Sequence, residues 1–140
     1  MNLEDINLLT TSKTTRLNGL AFPVIEGAGG FFTMTDGAET VMAGLKQLLL
    51  TNRGERVMRP DFGTSLRKSV FEPYTASLKI QLREEIKATI RKYEPRVDII
   101  DLSLSWESRP QSAGLHHIFI SLKFKLKGEI TEPQILDIIV

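Results

Sequence analysis

The sequence has no cysteine, and its 140 residues include only one tryptophan and two tyrosines. Without cysteine, a disulfide scaffold, a thiolate zinc site and a cysteine nucleophile are all excluded. No apolar run approaches the ~20 residues that span a bilayer, so no membrane-spanning segment is predicted. No basic segment leads into an apolar one at the N-terminus, so no secretory signal is predicted. Eighteen basic and seventeen acidic side chains leave a net charge of +1, too small an excess to favour nucleic-acid binding.

Hydrophobic residues make up 41% of the chain and charged residues 25%, which is typical of a globular protein. The length suits one domain, since domains cluster at roughly 100–150 residues. Residues 1–17 are polar and rich in threonine and show no regular period, which indicates an extended or flexible arm. We therefore expect an N-terminal arm over residues 1–17 and a single domain over residues 18–140.

Apolar residues spaced three and four apart indicate two main helices in the middle of the chain. The first begins at Asp36, which forms a capping-box pattern with Glu39, and it ends near Thr51. The strongest helix covers Ala76–Tyr93, with Thr75 as its cap. A shorter helix between them is predicted over residues 65–70, with Thr64 as its cap.

The last third of the chain alternates apolar and polar residues, which indicates β-strands with one buried face. Strands are predicted over residues 97–106 with a bulge near Asp98–Ile100, over residues 115–127, and over residues 135–140. Two short strands are predicted earlier, over residues 19–25 and 31–34. The fold class expected is α+β, with central helices packed on a small antiparallel sheet formed mainly by the C-terminal third.

No motif predicts a catalytic, cofactor-binding or metal-binding residue. His116 and His117 are adjacent on a strand, where neighbouring side chains point to opposite faces and cannot easily share one ion. The chain lacks a Gly-x-Ser-x-Gly elbow, and the glycines of residues 27–30 lack the spacing of a phosphate-binding loop.

The predicted strand over residues 115–127 carries a basic face, formed by Lys123, Lys125 and Lys127. Lysines in such a place are typical of a solvated face or of an edge protected from aggregation. A nucleic-acid groove would also need exposed aromatic side chains, and Phe124 points to the other face. A nucleic-acid-binding module is therefore the weakest alternative, and salt-sensitive retention on DNA would support it.

Arginine and carboxylate residues are concentrated in one segment, residues 53–63. Arg53, Arg56 and Arg59 lie there with Glu55 and Asp61. Arginine forks pair with carboxylates and backbone carbonyls, so this segment can be a structural clasp, a polar surface for a partner, or both. Two carboxylates across a cleft would instead suggest a cell-wall glycosidase, but arginine neighbours favour the ionised form of Glu55, whereas a general acid must hold a proton.

Residues 48–63, together with Phe71-Glu72-Pro73 and Tyr93-Glu94-Pro95-Arg96, closely resemble the gpW/gene-25-like family. The family's N-terminal entry motif is similar to residues 19–23, and the resemblance covers roughly residues 18–127. Members of this family are baseplate wedge proteins of contractile phage tails, also called sheath initiators. Related proteins serve in type VI secretion baseplates.

The resemblance implies a structural protein, without catalytic activity or a cofactor, in the baseplate of a virion assembled in the host cytoplasm. Its expected partners are the sheath protein, the baseplate wedge proteins and the tail tube or hub proteins, with several copies around the tube. The sheet edge would receive a strand of the first sheath ring by β-augmentation. The family resemblance assigns Glu94, Pro95 and Arg96 to wedge contacts; the other interpretation is that these three residues hold the corner between helix and strand.

Overall fold

A computed structural model describes residues 18–21, 23–24, 26, 32–108, 116–127 and 132–140. The predicted arm over residues 1–17 and most of the predicted turn after Ser108 lie outside the described residues. Helices pack against a three-stranded antiparallel sheet built from the C-terminal strands, so the predicted α+β class is confirmed.

Two short strands precede the first helix. β1 (Asn18–Leu20) pairs antiparallel with β2 (Met34–Asp36), with Gly19 opposite Thr35. Both strands are shifted and shorter than the predicted ones, because β1 ends before Pro23 and β2 begins only at the last residue of the predicted strand. α1 (Gly37–Leu50) follows directly and ends at the expected place.

The helix α3 (Ala76–Tyr93) has the predicted bounds, and the Thr75 side chain accepts a hydrogen bond from the amide of Leu78 at 3.1 Å as predicted. The helix α2 (Leu66–Ser69) is shorter than expected, and the prediction of a Thr64 cap was wrong. The Thr64 hydroxyl instead donates to the carbonyl of Leu49 at 2.9 Å. That carbonyl lies in the last turn of α1, where no helical partner is available to it.

The sheet contains β3 (Val97–Ser108), β4 (His116–Leu126) and β5 (Gln134–Ile139), in that spatial order. The register of β3 against β4 shifts between Ile99 and Asp101, which confirms the predicted bulge. One face of the sheet is buried against α1 and α3, and the other face is exposed. The buried residues include Leu45, Leu49, Leu82, Ile86, Ile90, Leu102, Leu104, Ile118, Ile120, Leu122, Phe124, Leu136 and Ile138.

This pattern of burial explains the stability of the sheet. Each large apolar side chain that is fully buried contributes roughly 1.5–3 kcal/mol relative to an exposed one. The alternation along β4 therefore fixes which of its faces is inside, since a slip of one residue would expose the whole apolar set. Among the described residues, the sheet ends at β3 on one side and at β5 on the other.

Candidate functional site

Residues 51–64, named here the arginine loop, form a closed loop between α1 and α2. A parallel bridge joins Asn52 to Thr64 at its base, with the amide of Thr64 donating to the carbonyl of Thr51 at 2.9 Å. Higher in the loop, the amide of Gly54 donates to the carbonyl of Pro60 at 2.8 Å. Backbone bonds of this kind hold the loop in one shape without a helix or a strand.

The predicted site residues of the loop are mostly used to build it. Glu55 accepts a hydrogen bond from the amide of Asn52 at 2.8 Å, and Arg53 lies 3.3 Å from the carboxylate of Glu85 on α3. Glu85 also accepts hydrogen bonds from the amide and hydroxyl of Ser65. The side chain of Glu85 is only 14% exposed, and its contacts hold the loop against α3. The sequence patterns did not reveal this role.

Aromatic contacts fix the other side of the loop. The guanidinium of Arg56 lies over the ring of Phe62, 4.0 Å from its centroid, and Phe62 meets Tyr93 edge to face at 5.0 Å between centroids. Cation–π contacts of this kind contribute about 0.5–1 kcal/mol at exposed sites. Arg56 therefore stabilises the loop, whereas Arg59 has no side-chain hydrogen bond or ion pair within the described residues.

Asp61 connects the end of the arginine loop to the end of α3. Its carboxylate accepts hydrogen bonds from Lys92 at 2.7 Å and from the hydroxyl of Tyr93 at 2.6 Å. The bond from Lys92, followed by that from Tyr93, lowers the pKa of Asp61 from 3.8 to about 2. The same ion pair raises the pKa of Lys92. Asp61 is consequently ionised at neutral pH.

The depressed pKa of Asp61 gives a prediction for an NMR titration of its carboxyl carbon. We expect a midpoint near pH 2, with a rise toward the ordinary 3.8 in Lys92→Met and a smaller rise in Tyr93→Phe. Because the folded pKa is the lower one, the stabilising contribution is present above pH 3.8 and is lost as the pH falls through about 2. Lys87→Met, which removes a lysine paired with Glu84, is the control and should leave the midpoint unchanged. A midpoint near 4 in the unaltered chain would contradict the assignment.

The Glu94-Pro95-Arg96 corner joins α3 to β3. Arg96 donates two hydrogen bonds to Glu94, from Nε to Oε1 at 2.5 Å and from Nη2 to Oε2 at 2.8 Å. This contact raises the pKa of Arg96. The carbonyl of Arg96 also accepts from the amide of Lys127 at 2.9 Å. Glu94 is 13% exposed and Arg96 47%. The corner is thus stabilised internally, and about half of the Arg96 side chain still faces solvent.

The lysine face on β4 is accompanied by carboxylates. Lys123 lies opposite Asp101 and Lys125 opposite Asp98, and Lys127 is 3.4 Å from Asp98. All three lysines are exposed. Cross-strand pairs of opposite charge stabilise a sheet modestly and leave no continuous basic stripe across these residues.

The β5 edge of the sheet has a defined set of free backbone groups. Ile118 and Val140 exchange both backbone hydrogen bonds, at 2.9 and 3.0 Å. Hydrogen-bonded pairs recur at every second residue of an antiparallel ladder, so the register turns the backbone groups of Ile135, Asp137 and Ile139 away from β4. Within the part of the chain that the structure describes, no strand lies on that side.

Exposed apolar surface accompanies the β5 edge. Ile135 and Ile139 are each 58% exposed on the outer face of the sheet. A groove of about 320 Å³ lies at the end of β5, and we name it the β5 groove; its lining is Leu50, Arg67, Val70, Phe71, Ile139 and Val140. Phe71 is 80% exposed there. The β5 edge thus offers backbone groups and apolar side chains together.

The opposite edge, at β3, is obstructed. Arg83 extends from α3, on the buried face, to within 3.5 Å of Asp101, whose side chain is on the exposed face. This ion pair joins α3 to the edge strand β3. Nearer the end of the strand, Tyr74 packs against Trp106 with 4.9 Å between ring centroids. Charged and bulky side chains placed in this way protect a sheet edge from pairing.

The described residues contain no group of three or more side chains that could hold a metal ion, and no helix among them is long and apolar enough to cross a membrane. A cleft of about 250 Å³ lies between the arginine loop and α3, lined by Arg53, Asp61, Ala88, Thr89, Lys92 and Tyr93. Asp61 is the only carboxylate in that lining among the described residues. With a pKa of about 2 it cannot act as a general acid at neutral pH.

These features define an α+β domain whose distinctive parts are an open sheet edge, a rigid arginine loop and a buttressed helix-to-strand corner. A family model described as baseplate wedge protein gp25 matches residues 35–129, so the chain belongs to that family. The family resemblance noted in the sequence is thereby confirmed.

Two named relatives agree with the family. Baseplate protein W of Escherichia phage P2 is 34% identical over 67 residues, which cover 48% of this chain and 57% of that protein. Baseplate wedge protein gp25 of Enterobacteria phage T4 is 31% identical over 62 residues, covering 44% and 47% respectively. The matched part of the chain thus spans about half the length of these two relatives. Both are baseplate proteins of phages, which agrees with the expected location.

Solved structures share the fold. A chain of the anti-feeding prophage baseplate, a six-fold symmetrised cryo-EM structure, is 26% identical with a TM-score of 0.69 over 84% of this chain and 91% of that one. A chain of the postcontracted pyocin R2 baseplate has a TM-score of 0.60 at 20% identity, covering 80% and 100%, and shows the fold alone. A Geobacter sulfurreducens crystal structure with the provisional name tail lysozyme is 26% identical, with a TM-score of 0.58 over 76% and 94%.

Proposed function

We propose that this baseplate protein initiates the contractile sheath by offering the β5 edge to an extended strand of the first sheath ring. The observation that carries the proposal is the set of outward backbone groups at Ile135, Asp137 and Ile139, next to exposed apolar side chains. A strand laid along this edge gains main-chain hydrogen bonds, and its alternate side chains gain apolar contacts.

The geometry of the β5 edge suits a strand on both faces. Residues of an incoming strand that pair with Ile135 and Ile139 would place their side chains on the outer face, against these two isoleucines. The intervening residues would point toward the inner face, the side on which α1 contributes Leu50 to the lining of the β5 groove. The β3 edge strand instead carries the ion pair with Arg83 and the Tyr74–Trp106 contact. For these reasons we assign strand addition to β5.

The second part of the proposal concerns contacts with wedge proteins near the tail tube. The corner of Glu94, Pro95 and Arg96 is rigid, and the Arg96 side chain is 47% exposed there. Arg96 retains donors for a partner carboxylate, since Glu94 uses only two of its five. By similarity to the six-fold symmetrised prophage baseplate, we propose that several copies surround the tube.

We propose no enzymatic activity for the chain. A glycosidase would need two free carboxylates across a cleft, and three carboxylates of this region are instead engaged within the protein: Glu55 accepts from the amide of Asn52, Asp61 from Lys92, and Glu94 from Arg96. A general acid must also hold a proton at neutral pH, and the lowered pKa of Asp61 excludes it from that role. The provisional name of the Geobacter relative is therefore not extended to this chain.

Removing the protein from the parent particle tests the proposed function. Particles made without it should contain tubes that lack an extended sheath, because the first sheath ring has no strand edge on which to assemble. Negative-stain electron microscopy that counts sheathed and bare tubes gives the measurement, and supplying the intact chain in trans should restore sheathed tails. Normal sheathed tails in its absence would refute sheath initiation.

A further inference from the structure

The tip of the arginine loop carries the two most exposed large apolar side chains of the described residues. Val57 is 91% exposed and Met58 is 93% exposed. Adjacent apolar side chains held fully in water, on a loop of fixed shape, are typical of a surface that another molecule covers.

The backbone at this tip is held in an unusual conformation. Met58 has a φ of +64°, a left-handed value that residues with side chains rarely adopt. The base of the tip is closed by the bond from Gly54 to Pro60 at 2.8 Å and by one from the amide of Arg59 to the carbonyl of Arg56 at 3.3 Å. A glycine would fit this backbone without strain, so the loop shape gives no reason for a methionine. The Met58 side chain must therefore serve a contact outside the loop.

The charges around the tip indicate the chemistry of the partner that would cover it. Arg53 pairs with Glu85 and Arg56 stacks on Phe62, so both are used inside the protein. Arg59 follows Met58 directly and has no ion pair or side-chain hydrogen bond to any other described residue. The tip thus presents two apolar side chains and one uncompensated positive charge.

We propose that Val57 and Met58 anchor this chain in an apolar pocket of a separate baseplate protein, with Arg59 meeting an acidic rim of that pocket. The inference deepens the proposed wedge contact and rests on it. Methionine suits such an anchor because its flexible thioether adapts to an irregular pocket. Arg53 and Arg56, which the sequence predicts as binding residues, would then chiefly shape the loop. The tip of the loop would make the contact with the partner.

A second copy of this chain is a poorer occupant. The tip protrudes, so a second copy would have to offer an apolar pocket to receive it. Among the described residues, the β5 groove is the apolar pocket that could do so. That groove contains the exposed Arg67, which would repel Arg59 of another copy. Charge complementarity therefore favours a different protein with acidic residues.

Calorimetric titration of the full chain against each of the other purified baseplate proteins of the same particle tests the anchor. The double variant Val57→Ser, Met58→Ser should bind its partner about tenfold or more weakly, since two apolar side chains would no longer be buried. Met58→Gly should also weaken binding while keeping the melting temperature within a few degrees, because glycine accepts the φ of +64°. Arg59→Ser should reduce the salt dependence of the affinity.

The matched control is Ile80→Ser, which removes an apolar side chain that is 65% exposed on α3, and we expect it to leave the affinity unchanged. Binding of the double variant as tight as that of the unaltered chain would overturn the anchor and leave the wedge contact standing. Self-association of the unaltered chain that the double variant abolishes, detected by sedimentation, would overturn the choice of partner. If the unaltered chain binds none of the baseplate proteins, the proposed wedge contact itself fails.

Discussion

Asp137→Pro should yield particles that carry baseplates and bare tubes but few or no sheathed tails. Asp137 is the central residue of the three whose backbone groups face away from β4, and its side chain is exposed. Proline removes the outward N–H that an incoming strand would use, and its ring occupies the path of that strand. Because this N–H is not part of the β4 ladder, the fold should tolerate the change.

The expected size of this effect follows from the number of copies involved. One backbone hydrogen bond contributes about 0.5–1.5 kcal/mol, and the steric block adds to its loss. If several copies must each hold a sheath strand for the first ring to form, these losses accumulate around the ring. We therefore expect sheathed tails to fall by about tenfold or more, with each copy weakened by at least the value of one hydrogen bond.

Asp137→Ala is the matched control for this experiment. It removes the same side chain but keeps the N–H, and we expect it to support normal sheaths. Electron microscopy of particles gives the yield, and the melting temperature of each purified variant shows whether the fold is retained. Sheathed tails at normal frequency in a folded Asp137→Pro protein would exclude β5 as the receiving edge, even if removal of the whole chain still prevented sheath formation.

The parts of the fold that could be predicted depend on local patterns. The bounds and the Thr75 cap of α3 follow from spacings within one helix, and the alternation along β4 identifies its buried face from neighbouring residues. The bulge before Asp101 is also a local change of parity. These features need only nearby residues, so periodicity and capping rules are sufficient for them.

The parts that could not be predicted depend on contacts between distant segments. Thr64 was expected to cap α2, but its hydroxyl pairs with Leu49, fifteen residues earlier, because the loop brings the two together. Glu85 became a clamp for Arg53 only because α3 packs beside the arginine loop. Likewise, the free edge at β5 and the exposed tip at Val57 are consequences of what does not pack against them, and no spacing in a sequence reports that.

The candidate site was predicted in composition more than in arrangement. The sequence singled out the segment of Arg53, Glu55, Arg56 and Arg59, but it left open whether these charges form a structural clasp, a surface for a partner, or both. The structure engages Arg53, Glu55 and Arg56 within the protein. This outcome makes the integrity of the loop a property that can be tested separately from any partner.

Gly63→Ala should destabilise the chain strongly, because the arginine loop depends on a close approach at this glycine. Gly63 has a φ of +103°, and a Cβ atom there would lie 2.3 Å from the carbonyl oxygen of Thr51. The obstructing atom belongs to the backbone at the base of the loop and cannot rotate away. The same oxygen accepts the 2.9 Å bond from the amide of Thr64, so relieving the clash would disturb the closure between Asn52 and Thr64.

Gly54→Ala isolates the contribution of the clash. Gly54 has a φ of +86°, also left-handed, but a Cβ atom there would meet nothing within 4 Å. The backbone strain alone should cost about 1–2 kcal/mol in Gly54→Ala, whereas Gly63→Ala should lose about 3 kcal/mol or more of the free energy of unfolding, measured by urea denaturation. Equal losses in the two variants would show that the close approach at Thr51 is not what holds the loop. A larger loss at Gly63, with the far-ultraviolet spectrum retained, would make the base of the arginine loop a structural requirement for everything presented at its tip.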